Sequence, residues 1–141
     1  MVLGGVTVEH DRGLAGHSDG DAALHAITDA VLGAAAAGDI GEHFPDTDPR
    51  WAGADSAALL AHAVALAAER GLRPVNCDVT ILAEAPKLSA YKPKMQRRIA
   101  ERLGVGVDAV SVKAKTNEAM GFVGRGEGIA AMAVVMLAGE S

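Results

Sequence analysis

Five side chains with metal-binding or proton-transfer chemistry lie close together in the segment HSDGDAALHAITD, residues 17–29. Three of them, Asp21, His25 and Asp29, are spaced four residues apart, so a helix would place them along one face. Imidazole is the commonest metal ligand in proteins, but zinc needs three or four donors, and the others would have to come from elsewhere in the chain. An N-capping aspartate followed by a solvated helix face is the alternative. The spacing alone leaves both interpretations open.

The loop before this helix has the composition of an anion site. His17 and Ser18 precede the helix start, where unpaired backbone N–H groups and the positive end of the helix dipole favour a phosphate group. The alternative is an ordinary capping segment, in which Ser18 or Asp19 satisfies the first helical turn.

A second polar group lies in KAKTNEAMGFVGRGEG, residues 113–128, which reads as strand, glycine-rich turn and strand. Its side chains that suit phosphate chemistry are Lys113, Lys115, Thr116, Glu118 and Arg125. Backbone N–H groups in such a turn can cradle phosphate, Thr116 can donate to an oxyanion, and Glu118 can hold a cation that bridges phosphates. The pattern therefore predicts a diphosphate site. The alternative is a hairpin whose glycines only supply positive φ angles, with Arg125 and Glu127 as a surface pair.

Two shorter segments carry weaker signals. FPDTDP places Asp46 and Asp48 between prolines, which suits a rigid turn as well as ligand contact. AEAPKLS places Lys87 just after a predicted strand, where ligands often bind, although most exposed lysines are only solvated charges.

The hydrophobic pattern predicts the elements that would position these residues. Predicted strands cover residues 2–8, 74–84, 109–117 and 128–138, and predicted helices cover residues 21–37, 55–70 and 92–103. The segment 38–55, rich in turn formers, is expected to be irregular and to carry function. This order predicts an α+β fold, a two-layer domain with one mixed sheet and helices on one face.

Length and composition limit the class of protein. A chain of 141 residues predicts a single domain over residues 1–141. The net charge of −5 and the lack of a basic stripe argue against a nucleic-acid partner. No apolar run has membrane-spanning length and no signal-peptide pattern occurs, so no membrane partner is expected. The single cysteine, Cys77, favours the reducing cytoplasm.

The last predicted strand, residues 128–138, has apolar residues on both faces. One face of the sheet would therefore expose apolar surface in a monomer, which is an aggregation hazard. We expect this face to pack against other copies of the chain.

The segments HSDGDAALHA, GDIGEHFPDTDP, NCDVTILAEAPKL and VKAKTNEAMGFVGRGEGIAA resemble the 2-C-methyl-D-erythritol 2,4-cyclodiphosphate synthase family of the non-mevalonate isoprenoid pathway. The resemblance covers essentially the whole chain, in the family's order and spacing. It implies a homotrimer packed through its sheets, with three active sites at subunit interfaces. It also implies a lyase reaction in which the 2-phosphate of 4-diphosphocytidyl-2-C-methyl-D-erythritol 2-phosphate attacks the β-phosphorus and CMP leaves.

The resemblance also implies roles for single residues. His25 matches a zinc ligand, and His17 and Thr116 match residues that stabilise the transition state. The implied substrate-binding residues are Ser18, Asp39, Ile40, Gly41, Phe44, Pro45, Asp46, Thr47, Asp48, Ala83, Glu84, Ala85, Pro86, Lys87, Leu88, Ser89, Lys115, Asn117, Glu118, Phe122 and Arg125. Residues 39–41 match the segment that holds the erythritol part, and residues 83–89 match a cytidine pocket contributed by the neighbouring subunit.

Two of these implied residues have a further expected ligand. Glu118 matches a ligand of magnesium or manganese, and Arg125 matches a residue near a central cavity of the trimer that could hold an isoprenoid diphosphate.

Family members begin with a strand carrying an Asp-x-His motif, which supplies two of the three protein ligands of zinc. No Asp-x-His occurs in this sequence, and Met1 falls where the second strand of the family should begin. With His25 as the only implied zinc ligand, zinc affinity is expected to be poor. The alternative function is therefore a catalytically impaired trimer that binds a nucleotide or an isoprenoid diphosphate.

Overall fold

The structure is a computed structural model that describes residues 1–9, 21–45, 47–49, 55–116 and 118–139. Its strands are β1 (Val2–Leu3), β2 (Val6–Thr7), β3 (Leu72–Leu82), β4 (Val110–Lys115) and β5 (Ala130–Gly139). Its α-helices are α1 (Ala22–Ala34), α2 (Ile40–His43), α3 (Ser56–Glu69), α4 (Lys92–Leu103) and α5 (Gly121–Gly124), and a 3₁₀ turn covers Val107–Ala109. Helices and strands are thus mixed along the chain, and the α+β class is confirmed.

The main sheet has three strands in the order β4-β3-β5. β3 pairs in parallel with β4, with Leu82 opposite Lys115, and antiparallel with β5, with Leu82 opposite Ala130. The sheet is therefore mixed, as predicted. Because β3 separates β4 from β5, these two strands do not pair, and the hairpin alternative for residues 113–128 is wrong. The chain crosses from one edge of the sheet to the other through α5.

Two local predictions need correction. The predicted strand over residues 2–8 is a tight two-stranded hairpin, because Gly4 and Gly5 turn the chain with φ angles of 60° and 75°. The segment predicted to be irregular contains α2, which begins where the Asp39 side chain accepts a hydrogen bond of 3.0 Å from the backbone N–H of Glu42.

Three caps of the longer helices are formed by residue types that favour those positions. The Asp21 side chain accepts from the N–H of Leu24 at the start of α1, and Asp55 caps α3 through the N–H of Ala57 at 2.9 Å. Gly104 ends α4 with a φ of 72°. Within the described part of the chain, no helix is long and apolar enough to cross a membrane.

The core lies between the sheet and the helices. Its largest fully buried side chains are Leu3, Leu24, Ile27, Leu32, Leu60, Ile81, Met95 and Ile99. α1 packs mainly against β5, and α4 packs against β4. The sheet contributes alternate residues such as Cys77, Val79 and Ile81 to this core, as its pleat requires.

The opposite face of β5 is apolar and exposed. Met132, Val134 and Met136 alternate with buried or half-buried neighbours and are 63%, 71% and 58% exposed. On the same face of β4, Lys113 forms an ion pair of 2.8 Å with Asp78 of β3. The face therefore combines an apolar strip on one edge strand with charges on the other two strands.

Candidate functional site

The three polar residues spaced along α1 have separate tasks. Asp21 is fully buried, and its carboxylate accepts hydrogen bonds from the N–H groups of Gly4 (2.9 Å), Gly5 (2.8 Å) and Leu24 (3.0 Å). This residue joins the β1–β2 turn to the helix start. The N-capping aspartate considered from the sequence is thus confirmed as Asp21, and its oxygens also bind the backbone of the hairpin turn.

His25 is half-buried on α1, one turn beyond Asp21. Its Nε2 lies 2.9 Å from the hydroxyl oxygen of Ser56, which is fully buried at the start of α3. The contact fixes the orientation of the imidazole ring. The sequence indicated Ser56 only as part of a helix start, since a partner 31 positions away leaves no spacing signal.

Asp29, one turn beyond His25 on α1, links this helix to the start of α2. Its carboxylate oxygen accepts a hydrogen bond of 2.7 Å from the backbone N–H of Ile40. Asp39 and Gly41, both exposed, lie on either side of Ile40. The residues that the resemblance implies for binding the erythritol part are thus positioned by Asp29 of α1, the helix that also carries His25.

The residues after α2 have mixed exposure. Phe44 is 7% exposed, and its ring packs edge-on against His62 with centroids 5.2 Å apart. The N–H of Asp48 donates to the carbonyl oxygen of Pro45 at 3.0 Å, which closes a turn, and Thr47 is exposed on that turn. Phe44 therefore anchors the segment to α3.

Four of the implied residues lie outside the described ranges. They are His17, Ser18, Asp46 and Asn117. The geometry of the site therefore rests on the other implied residues.

A cavity of about 300 Å³ lies at the ends of β3 and β4. It is lined by Ala83, Glu84, Pro86, Lys87, Leu88, Ser89, Ala114, Lys115 and Thr116. In the sequence, residues 83–89 and 115–118 belong to two separate segments. The parallel pairing of β3 and β4 brings them together on one chain, and the N–H of Ala83 extends the ladder by donating to the carbonyl of Lys115 at 2.9 Å. Lys87 and Lys115 are exposed at this cavity and supply positive charge.

The turn after β4 has an unusual backbone. Glu118 and Ala119 both have positive φ angles, 52° and 61°, although neither is glycine. This conformation costs residues with a Cβ roughly 1–2 kcal/mol each, and such outliers cluster at functional sites. The turn is held by the Thr116 hydroxyl, which accepts from the N–H of Glu118 at 3.4 Å, and by the Glu84 carboxylate, which accepts from the N–H of Ala119 at 3.2 Å.

The backbone of Gly124 packs directly on this turn. A Cβ at position 124 would collide with the backbone of Ala119, so only glycine fits there. The close approach fixes the carbonyl side of Ala119, while Glu84 fixes its amide side. The sequence pattern attributed the glycines of this segment to phosphate binding or positive φ, but Gly124 serves close packing.

Arg125 and Phe122 lie beyond the turn. The Nε of Arg125 lies 2.6 Å from a carboxylate oxygen of Glu127, and both side chains are more than half exposed. This is the surface pair named as the alternative for Arg125, and such pairs contribute only about 0–1 kcal/mol, so the pairing is easily exchanged for another anion. Phe122 is 51% exposed, with its ring against Gly128.

Neither a reactive thiol nor a ready zinc site is present in the described ranges. Burial, with a smaller contribution from the nearby Asp78 carboxylate, raises the pKa of the Cys77 thiol to about 12, so this cysteine stays protonated.

Among the described residues, no group of three or more His, Cys, Asp or Glu side chains could hold a metal ion. The described part therefore does not offer zinc a complete ligand set, and His25 is the one implied zinc ligand that it contains. Glu118 is exposed and fits magnesium or manganese, which need one or two carboxylates when phosphates supply the other ligands.

The described fold and much of the chain match known proteins. A protein of Symbiobacterium thermophilum named 2-C-methyl-D-erythritol 2,4-cyclodiphosphate synthase is 62% identical over 140 residues, which cover 99% of this chain and 89% of the relative. The same-named protein of Pseudomonas aeruginosa is 59% identical over 137 residues, covering 97% of this chain and 87% of the relative.

Solved structures agree with these sequence matches. A 2C-methyl-D-erythritol-2,4-cyclodiphosphate synthase in its CDP-bound form superposes with a TM-score of 0.90 at 35% identity, covering 98% of this chain and 89% of that one. The bifunctional IspDF of Campylobacter jejuni gives a TM-score of 0.92 at 44% identity. The match covers 97% of this chain but 37% of the bifunctional one.

The family-level match is equally extensive. The profile of the YgbB family matches residues 1–138. Together with relatives that are more than half identical over nearly the whole sequence, this match shows that the chain belongs to the YgbB family.

Proposed function

We propose that this chain is a cyclodiphosphate synthase. It converts 4-diphosphocytidyl-2-C-methyl-D-erythritol 2-phosphate to 2-C-methyl-D-erythritol 2,4-cyclodiphosphate and CMP. The observation that carries the proposal is the 300 Å³ cavity, in which residues 83–89 meet Lys115 and Thr116. A family member of known structure is described as CDP-bound, which supports a cytidine nucleotide as the occupant.

In the proposed reaction an oxygen of the 2-phosphate forms a bond to the β-phosphorus. The bond from that phosphorus to the oxygen bridging it to the α-phosphorus breaks, and CMP leaves with this oxygen. The main physical difficulty is the repulsion between two polyanionic groups, which must be held in line for attack. Preorganised donors aimed at the reacting oxygens lower this barrier most effectively.

The turn after β4 meets this requirement. The exposed Thr116 hydroxyl can donate to a phosphate oxygen, and Lys87 and Lys115 offset negative charge at the same cavity. Glu118 would hold a magnesium or manganese ion, and such an ion supplies charge neutralisation and a fixed geometry for the diphosphate. The protein's own contribution is orientation, because the turn is fixed before substrate arrives.

The group on α1 and α2 is proposed to bind the rest of the substrate. Asp39, Ile40 and Gly41 lie on an exposed turn that Asp29 positions, and they are available for the erythritol hydroxyls. His17 and Thr116 are both proposed to stabilise the transition state. No step of the proposed mechanism is assigned to zinc, because the described residues do not offer it a complete ligand set.

The proposed assembly is a homotrimer of two-layer subunits, with helices on one face of each sheet and the other faces packed around the axis. The exposed strip of Met132, Val134 and Met136 supports this arrangement, because a stable monomer rarely leaves such residues in a continuous row. In that trimer each active site would form between two subunits. One subunit would contribute the cavity formed by residues 83–89 and 115–116, and its neighbour would contribute the substrate-binding residues on α1 and α2. Arg125 would lie near the central cavity, and the proposed location is the cytoplasm.

The alternative of a catalytically impaired binding protein is not favoured. Relatives about 60% identical to the chain are named as synthases, and the turn with Thr116 and Glu118 is intact. The chain would otherwise have kept a strained, preorganised phosphate turn without chemistry to use it.

The test is CMP release from the diphosphocytidyl substrate by the purified chain with magnesium. Thr116→Val removes the hydroxyl and keeps the shape, and we expect kcat to fall about 10²-fold to 10³-fold, the cost of losing one oxyanion donor. Thr7→Val, a change at an exposed threonine of β2, is the matched control and should leave kcat unchanged. No CMP release by the wild-type chain would refute the proposed activity, and an unchanged kcat in Thr116→Val would refute the role of the hydroxyl.

A further inference from the structure

Glu84 lies where the two halves of the proposed nucleotide cavity meet. It follows β3 by two residues, is half-buried, and lines the cavity together with Lys87 and Thr116. Its Oε1 accepts the 3.2 Å hydrogen bond from the N–H of Ala119, which is 35 positions further along the chain. The contact therefore links the end of β3 to the turn after β4.

This turn needs outside support. The consecutive positive φ angles of Glu118 and Ala119 are unfavourable for residues with a Cβ, so the local sequence does not favour them. The hydrogen bond within the turn, from the N–H of Glu118 to Thr116, is long at 3.4 Å. A carboxylate acceptor forms a stronger hydrogen bond than a neutral one, so Glu84 is the better placed support.

The other side of Ala119 is fixed by the close approach of Gly124. The peptide unit is thus held on one side by a side chain of the nucleotide cavity and on the other by α5. A change at Glu84 would release only the first of these, which would loosen the turn without removing it.

We propose that Glu84 is a positioning residue that holds the turn after β4 in its phosphate-binding conformation, so that diphosphate recognition depends on it while nucleoside recognition does not. The inference rests on the proposed function, since it takes the cavity to bind a cytidine diphosphate. Glu84 acts through the N–H of Ala119, and we assign it no contact with the reacting atoms.

The first measurement is amide hydrogen exchange in the free protein, followed by NMR. In the wild-type chain the Ala119 N–H should exchange more slowly than the Glu118 N–H, whose hydrogen bond is longer. Glu84→Gln keeps an acceptor on a side chain of the same length, though a neutral one, and should preserve part of the protection. Glu84→Met keeps the length without the acceptor and should speed exchange at Ala119 about tenfold, which corresponds to about 1.4 kcal/mol.

The second measurement compares CDP and cytidine binding to the same proteins by calorimetry. We expect Glu84→Met to weaken CDP binding about tenfold and cytidine binding less than twofold, with Glu84→Gln between wild type and Glu84→Met for CDP. Glu101→Met, which changes an exposed glutamate of α4, is the matched control and should change neither affinity.

Several results would overturn the proposal. Equal exchange at Ala119 and Glu118 in the wild type would show that the contact does not hold the turn, and this result requires no variant to fold. Equal weakening of CDP and cytidine would make Glu84 a nucleoside contact instead. If the wild type bound neither ligand, the proposed function would fail, and the exchange data would still decide whether Glu84 holds the turn.

Discussion

Replacing Asp21 with alanine should strongly destabilise the protein, because this fully buried carboxylate accepts three backbone N–H groups. Two come from the turn formed by Gly4 and Gly5, and the third caps α1 at Leu24. A hydrogen bond to a charged acceptor contributes about 1.5–3 kcal/mol and an N-cap about 1 kcal/mol, so we expect a loss of about 4 kcal/mol. That is a large fraction of the roughly 5–15 kcal/mol typical of a whole domain.

Asp55→Ala is the matched control, because Asp55 caps α3 through a single bond to the N–H of Ala57. It should cost about 1 kcal/mol. Asp21→Asn should fall between the two, because its amide group cannot accept from all three donors. Urea denaturation followed by circular dichroism measures the three changes, and the m-value should stay constant. If Asp21→Ala cost no more than Asp55→Ala, the idea that Asp21 joins the hairpin to the helix would be refuted.

Three further predictions concern other parts of the structure. Gly124→Ala should lower CMP release at least tenfold by displacing Ala119, whereas Gly33→Ala, where a Cβ meets no atom within 4 Å, should leave the rate unchanged; equal rates would refute the packing argument. Cys77 should resist a thiol reagent at pH 8 until urea is added, and rapid reaction of the native protein would contradict this expectation. The free energy of unfolding should fall as the pH rises from 9 toward 12, because only the unfolded chain then releases the thiol proton. Val134→Lys should shift the sedimentation coefficient toward that of a monomer, and an unchanged value would argue against packing through this face.

Much of the fold could be predicted from the sequence because its signals are local. The alanine-rich helices have clear caps such as Asp55 and Gly104, and β3 has an alternating pattern of buried residues. The placement of β3 between β4 and β5 could not be predicted this way. Strand order depends on contacts between distant segments, and the glycine-rich stretch between β4 and β5 suits a hairpin as well as a crossover.

The candidate site, like the fold, could be predicted only in part from the sequence. The residue types in 83–89 and 115–118 indicated ligand binding, but only the parallel register of Leu82 with Lys115 places them around one cavity. Ser56 and Glu84 gained their roles from hydrogen bonds that span 31 and 35 positions, for which a single sequence has no spacing rule. The burial of Asp21 could not be predicted either, because the side chain of an N-capping residue is usually exposed.

The packing of α1 against β5 has a consequence for the order in which the protein can form during synthesis. The first long helix packs against the last of the described strands, and β5 also pairs with β3, whose residues lie 48 to 67 positions earlier in the chain. While the ribosome still holds the residues of β5, α1 and β3 lack their main partners and expose apolar surface. The growing chain is therefore expected to stay open to chaperones and proteases until β5 has been synthesised, and then to close in one cooperative step.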